Sequence, residues 1–428
     1  MKEYYCKIDP LDNKENSILS INLTKTSFSF WAESRKRENK YVFAQIDDAI
    51  LDLLYIASFV YLADCMSTRN EYISNWERKI KLTIPLLKKD VFDKIKTKLV
   101  EAISFLSGDS WEFEFQQRSY TKEERYQKEK NKQVRILPQY DCVSMLSGGL
   151  DSLIGAIDLL ESKKKVLFVG SHGRGANVKP YQDYVYKQLS QHYNITDSFK
   201  QFSLERYSVP NNTNELTTRS RSFNFFAHGI AMANIFGIKD IVIPENGFIS
   251  LNIPLTMSRI GSSSTRTTHP YYLSLLNDIL NGIGSQIVLR NPYQFKTKGE
   301  MMLECKNREL LKTMASSTMS CSHPSDRYKG EKAQADSHCG YCVPCTIRRA
   351  AFKRASINDV SLYRDVDKKS EIARQNFRSF ELGVLMKEQA KPFEILLSGK
   401  IPDTENYKSY IDLYERGLKE IKDLFKNE

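Results

Sequence analysis

Residues 140–152 read Tyr-Asp-Cys-Val-Ser-Met-Leu-Ser-Gly-Gly-Leu-Asp-Ser. An apolar run over 140–146 meets two adjacent glycines, and a helical pattern follows at once over 152–162. A strand that turns into a helix through Ser147-Gly148-Gly149 can curl its backbone tightly and present N–H groups, with the helix dipole behind them, to an anion. Gly-Lys-Ser/Thr does not follow at the Walker spacing, so the loop is of a different phosphate-binding kind. Ser147, Gly148, Gly149, Leu150, Asp151 and Ser152 are therefore the expected nucleotide-phosphate residues.

Working outward from this loop, strand-like and helical patterns alternate. Strands are expected at 140–146, 165–170, 198–204, 240–244 and 286–289, with helices at 152–162, 179–192, 221–236 and 298–313. Such alternation specifies an α/β fold, a doubly wound and mostly parallel sheet whose ligands lie beyond the C-terminal strand ends. Ser171-His172-Gly173 and Glu245-Asn246-Gly247 should reach that same edge. Residues 1–117 mix strand patterns (17–23, 27–31, 79–85, 111–116) with helices (44–63, 91–106) and read as an N-terminal α+β domain, suited to docking a partner. A charged linker over 118–135 leads into the main domain at 136–360, and 361–428 reads as helical.

A chain of 428 residues, 41% hydrophobic and 27% charged, suits two or three globular domains. The longest apolar stretch, 49–63, is interrupted by Asp52, so no membrane span is expected, and without a signal-like start the default is cytoplasmic. The charge of +11 would suit a polyanion, but the basic residues are dispersed, which disfavours nucleic acid as a direct substrate.

Four of the eight cysteines fall in one region: Cys321, then Cys339-Gly340-Tyr341-Cys342-Val343-Pro344-Cys345. Overlapping Cys-x-x-Cys units can turn their thiolates onto one ion, and four sulfurs complete a closed tetrahedral site, so a structural Zn²⁺ is expected. An iron–sulfur cluster or a redox pair stays open, and His323 and His338 stand near enough in sequence to replace a thiolate.

The ordered set Ser147–Ser152, Arg221, Lys298-Gly299-Glu300-Met301, Thr318-Met319-Ser320-Cys321, the Cys339–Cys345 module, Arg348 and Phe352 resembles the 7-cyano-7-deazaguanine synthases, the QueC family of pyrophosphate-loop ATP pyrophosphatases. The resemblance covers about residues 138–355 and implies a HUP-like, adenine nucleotide alpha hydrolase-like fold. It implies ATP and Mg²⁺, adenylation of a deazapurine carboxylate such as 7-carboxy-7-deazaguanine, and release of pyrophosphate and then AMP to an amine. Asp151, Arg221 and Lys298 become the catalytic candidates, and Ser171, His172 and Gly173 join the ATP set.

Where the nitrile synthases carry an Asp-x-Ser-Gly-Tyr-Pro-Asp-Cys segment, this chain has Glu245-Asn246-Gly247 and a hydroxyl-rich stretch over 261–270. Glu245, Asn246, Arg266, Thr267 and His269 are accordingly expected to rebuild the substrate pocket, with His269 as a candidate acid or base. The added N-terminal domain resembles that of longer QueC-like proteins of the Qat anti-phage systems. This implies a defence role and an amine donated by ammonia or by a partner protein of the same system. A non-catalytic ATP-binding sensor and a pyrophosphate-loop tRNA-modifying enzyme are the alternatives.

Overall fold

Strand β5 (Cys142–Met145) is buried on both faces, as a central parallel strand covered by helices must be. It lies in the middle of a five-stranded parallel sheet with β6 (Val166–His172), β7 (Phe199–Ser203), β8 (Asp240–Val242) and β9 (Val288–Arg290), in the order β7-β6-β5-β8-β9. Val143 pairs with Leu167 on one side and Ile241 on the other, so the strand order reverses at β5. That reversal opens a crevice beyond its C-terminal end, and the phosphate loop begins there. The computed structural model describes residues 1–8, 19–22, 45–69, 77–130, 139–172, 178–203, 215, 219–253, 266–322, 337–386, 399–402 and 406–426. Gly173, His323 and residues 261–265 of the 261–270 stretch lie outside the described residues, as does the expected strand over 27–31.

The N-terminal unit refines the expected α+β reading. Strands β1 (Lys2–Lys7), β2 (Leu19–Asn22), β3 (Lys79–Leu86) and β4 (Ser110–Gln117) pair only in parallel, in the order β2-β1-β3-β4. Each crossover after β2 carries a long helix, Asp48–Met66 and then Lys89–Ser107, so this unit is also α/β. Alternation sets its buried face: Ile80, Leu82, Ile84 and Leu86 on β3 meet Trp111, Phe113 and Phe115 on β4.

The two sheets do not own separate cores. Leu54, Phe59, Leu99 and Ile103 cluster with Val143, Leu167, Phe223 and Tyr272, because Asp48–Met66 packs on helix Arg221–Ile235 and Lys89–Ser107 packs on helix Pro270–Gly282. Asp48–Met66 is long and apolar enough to cross a membrane, yet it is buried almost all round within this core. Its Asp52 accepts N–H bonds from Leu87 and Lys88 (3.0 and 2.7 Å), which explains a carboxylate in the middle of an apolar helix. The expected linker contains a helix, Lys122–Lys130. The expected helix over 298–313 is two, Lys298–Leu303 and Arg308–Met314, because Asn307 caps the second through Leu310 N–H (3.0 Å).

A buried polar knot closes the N-terminal unit. Arg78, with no exposed surface, puts Nη2 2.5 Å from Asp64 Oδ1 and 2.5 Å from Asp109 Oδ2, while Arg69 grips Asp109 with two bonds of 2.8 and 3.1 Å. A buried charge that loses its partner is costly. Arg78→Ala is therefore expected to lower stability by about 3–5 kcal/mol, read as an earlier urea midpoint.

Candidate active site

The phosphate loop follows directly from strand-to-helix geometry. Gly148 takes φ +82°, and a Cβ there would lie 3.0 Å from the Gln182 backbone nitrogen, so glycine is required twice over. Gly149 caps helix Leu150–Glu161 and donates its N–H to Ser147 Oγ (3.3 Å). Ser152 Oγ–H bonds the Gly149 carbonyl (2.8 Å), and Gln182 Nε2 reaches the carbonyls of Ser171 (3.1 Å) and Ser147 (3.4 Å), joining β6 to the loop.

Asp151, in the first turn of the helix, is almost fully buried and carries the central charge. Lys298 Nζ lies 2.8 Å from its Oδ1, and Asn246 donates both its backbone N–H (3.2 Å) and its Nδ2 (2.7 Å) to Oδ2. Burial opposes ionisation, but the Lys298 ammonium and the bonds from Glu245, Lys298 and Asn246 hold the Asp151 pKa at about 2. Burial, then the charge on Asp151, push Glu245 well above the usual carboxylate range, so Asp151 holds the negative charge and Glu245 the proton. Asn246 has a second task, accepting Ile249 N–H at Oδ1 (3.0 Å) to cap Gly247–Ser250.

Lys298 is placed by a capping box, in which Thr297 Oγ1 accepts the Glu300 N–H and the Glu300 carboxylate accepts the Thr297 N–H. The C-terminal helix Tyr407–Phe425 reinforces this turn from outside. Buried Glu420 accepts from Thr297 Oγ1 (2.5 Å) and Gly299 N–H (3.3 Å), and Arg416 bonds Glu300 (2.6 Å).

A cavity of about 460 Å³ opens at this edge. It brings together Ser147, Gly149, Leu150, Asp151, Ser152, Ser171, His172, Arg221, Glu245, Thr267 and Lys298 from the expected set. Gly148 and Asn246 support the wall from behind. Arg266 and His269 point elsewhere. Arg266 lies 4.5 Å over the Phe105 ring and donates to the Phe105 carbonyl (3.0 Å). His269, fully buried, accepts the Tyr271 N–H as the cap of helix Pro270–Gly282 and packs edge-on against Phe105. Burial, then Arg266, lower its pKa to about 3, so near neutral pH it is an uncharged cap rather than an acid or base.

Sequence reasoning missed Gln182, Arg219 and Tyr61, all in the cavity wall. None sits in a recognisable pattern, and only the crossing of helices brings them there.

The four cysteines cluster beside the cavity, with Cys321 in its lining. All are buried, their sulfurs lie within 4.8 Å of one another, and Cys321–Cys342 and Cys339–Cys345 are 3.9 and 3.8 Å apart. Zinc bound at about 2.3 Å by four tetrahedral thiolates would hold its sulfurs about 3.8 Å apart, so the cluster fits that ion. Backbone N–H groups of Cys339 and Cys342 point at the sulfurs of Cys321 and Cys339 (3.2 and 3.3 Å), as second-sphere donors to thiolates do. His338 lies outside the four-sulfur set. The cluster is wired to the loop: Met319 N–H donates to the Gly148 carbonyl (3.0 Å), two residues before Cys321. Arg348, fully buried over the Phe352 ring, fastens the same segment through Thr318 Oγ1 (2.8 Å) and the Ala315 carbonyl (2.7 Å).

No family model matches the chain. Over 162 residues it is 26% identical to a 7-cyano-7-deazaguanine synthase of Rickettsia akari (strain Hartford), a match covering 36% of this chain and 61% of that protein. The chain thus spans about three-fifths of the length of the curated relative it matches, to which it is distantly similar.

Two outcomes follow. Cys342→Ser should reduce bound zinc from about one ion per chain to near none by elemental analysis, with a lower thermal midpoint. For pH, His228 and His269 have folded pKa values of about 4 and about 3 against 6.5 when unfolded, with burial the main cause. The unfolded chain binds those protons first, so their contribution is full above pH 6.5 and declines as pH falls toward 4 and below. Urea unfolding across pH 7 to 4 should show that decline, and His228→Gln should flatten it.

Proposed function

We propose that the chain is an ATP-dependent synthase that adenylates a carboxylate and passes the acyl group to an amine, releasing pyrophosphate and then AMP. The observation that carries this reading is one cavity shared by an intact phosphate loop, the buried Asp151–Lys298 pair and the Glu245 side chain. The distant likeness to a 7-cyano-7-deazaguanine synthase supports a deazapurine carboxylate as the acid.

In this reading the Gly148 and Gly149 amides, at the start of helix Leu150–Glu161, stabilise the departing pyrophosphate. Ser147 and Ser152 hydroxyls bond phosphate oxygens. Lys298 and Arg221 neutralise the triphosphate. Arg221 suits this role because it is exposed at the first turn of its helix, on the cavity rim. Asp151 and Glu245 are the carboxylates that would hold Mg²⁺, Glu245 giving up its proton to do so, and the ion would supply charge neutralisation on the phosphates. Zinc in the cysteine cluster is structural, since four thiolates leave no open position. An anti-phage setting, and a partner protein as the amine donor, complete the proposal on the resemblance alone.

Purified protein with ATP, Mg²⁺ and 7-carboxy-7-deazaguanine should form AMP and pyrophosphate in an acid-dependent manner. Product formation that ignores the acid would overturn the assignment. Lys298→Met should lower kcat by roughly 10²–10³-fold in the same assay, with the loss of its buried partner read separately as a lower thermal midpoint.

A further inference from the structure

One wall of the cavity comes from outside the phosphate-loop sheet. Tyr61, on helix Asp48–Met66 of the N-terminal unit, lines it, and Arg219, Arg221 and Phe225 stand on the neighbouring wall. Three residues beyond Tyr61, Asp64 turns its carboxylate onto the start of helix Arg221–Ile235. Its Oδ2 accepts both the backbone N–H of Ser220 (2.8 Å) and the Ser220 hydroxyl (2.7 Å). The side chain of Ser220 gives that helix no cap of its own, so the cap comes from the other unit.

The cap is held rigidly. Asp64 Oδ1 is taken by Arg78 (2.5 Å), and Arg78 also holds Asp109, which in turn receives Arg69. Asp109 accepts from Arg69 and Arg78 at both oxygens, and Asp64 accepts from Arg78 and Ser220. Both carboxylates are therefore committed inside the protein and act by orienting their donors. Arg219, buried in the cavity wall, is tied to the same region through Nη1 and the Ser107 carbonyl (2.8 Å). Burial, and then Arg69, make its charge costly, lowering its pKa to about 10. A cation held at that cost beside an open cavity is stabilised when an anion enters.

Resting on the carboxylate-activation reading, we propose that the N-terminal unit is part of the reaction chamber. Tyr61 selects a flat-ringed acid, and Asp64 is a positioning residue that, through Ser220, presents the adjoining Arg219 to the acid's anionic group. The rings of Tyr61 and Phe225 in the cavity lining suit the faces of a planar ring, and the Arg219 guanidinium suits its carboxylate.

The test uses full-length protein with Asp64→Asn, Tyr61→Ala and Tyr61→Phe. Three readouts are taken: equilibrium binding of ATP, acid-dependent pyrophosphate release with 7-carboxy-7-deazaguanine, and hydrogen exchange at the amides of 220–224. Asp64→Asn should raise the KM for the acid tenfold or more and speed exchange at 220–224, with ATP binding within twofold of the parent. Tyr61→Ala should raise the same KM comparably, and Tyr61→Phe, which keeps the ring, should restore it. Acid KM and kcat within twofold of the parent in both Asp64→Asn and Tyr61→Ala would overturn the proposal. So would an ATP affinity that falls in step with the acid KM, since that marks general loosening. A parent protein that releases no pyrophosphate with the acid overturns the carboxylate reading instead. In that case hydrogen exchange decides the positioning claim, and unchanged protection at 220–224 in Asp64→Asn sinks it.

Discussion

The Asp151 carboxylate is the constraint on which the site depends. It sits on the helix that begins the phosphate loop, pairs with Lys298 from the start of another helix, and receives Asn246 from the segment after β8. Three segments distant in sequence are thus fixed around one buried charge. Such a pair contributes little net stability, because desolvating both ions offsets most of their attraction. Its effect is geometric: the carboxylate cannot be satisfied unless the loop, the Asn246 turn and the Lys298 helix all take their places. Burial, and then this same charge, raise the Glu245 pKa, so the pair shapes both the geometry and the titration of the edge.

Around that centre the protein is braced from several directions. The cysteine cluster reaches the loop through Met319 and Gly148, so a metal bound there would stiffen the phosphate-binding backbone without touching substrate. Glu420 and Arg416, from the C-terminal helix, hold the turn that carries Lys298. Helix Asp48–Met66 of the N-terminal unit caps helix Arg221–Ile235 through Asp64. Each brace acts on a helix start or tight turn, where unsatisfied backbone groups need partners and small displacements move functional side chains most.

Legibility in the sequence tracked how local each signal was. Strands β5 and β6 and the helices at 150–161, 179–193 and 221–235 were readable to within a few residues, because their apolar spacing repeats within one element. The break between Leu303 and Arg308 was not, since Asn307 only becomes a cap once the chain around it has turned. Parallel pairing in the first 117 residues was equally hidden. Short strands separated by long helices fit more than one arrangement until the helices choose a face. Among site residues, those in the contiguous Ser147–Ser152 motif could be read directly. His269 and Arg266 looked chemically apt but are turned onto Phe105, whereas Tyr61 and Arg219 carry no motif and yet line the cavity.

The sequence by itself therefore determined the elements and the chemistry available: a glycine turn at a strand–helix junction, four thiolates at ligand spacing, and the alternation that makes a parallel sheet. Those properties depend on neighbours a few residues apart, and backbone sterics and side-chain periodicity act at that range. Only the tertiary structure decided which charges meet, which histidine is a neutral cap, and that a helix of the N-terminal unit lines the cavity. Burial and pairing set the energy of a charged group, and both depend on residues brought close from far along the chain.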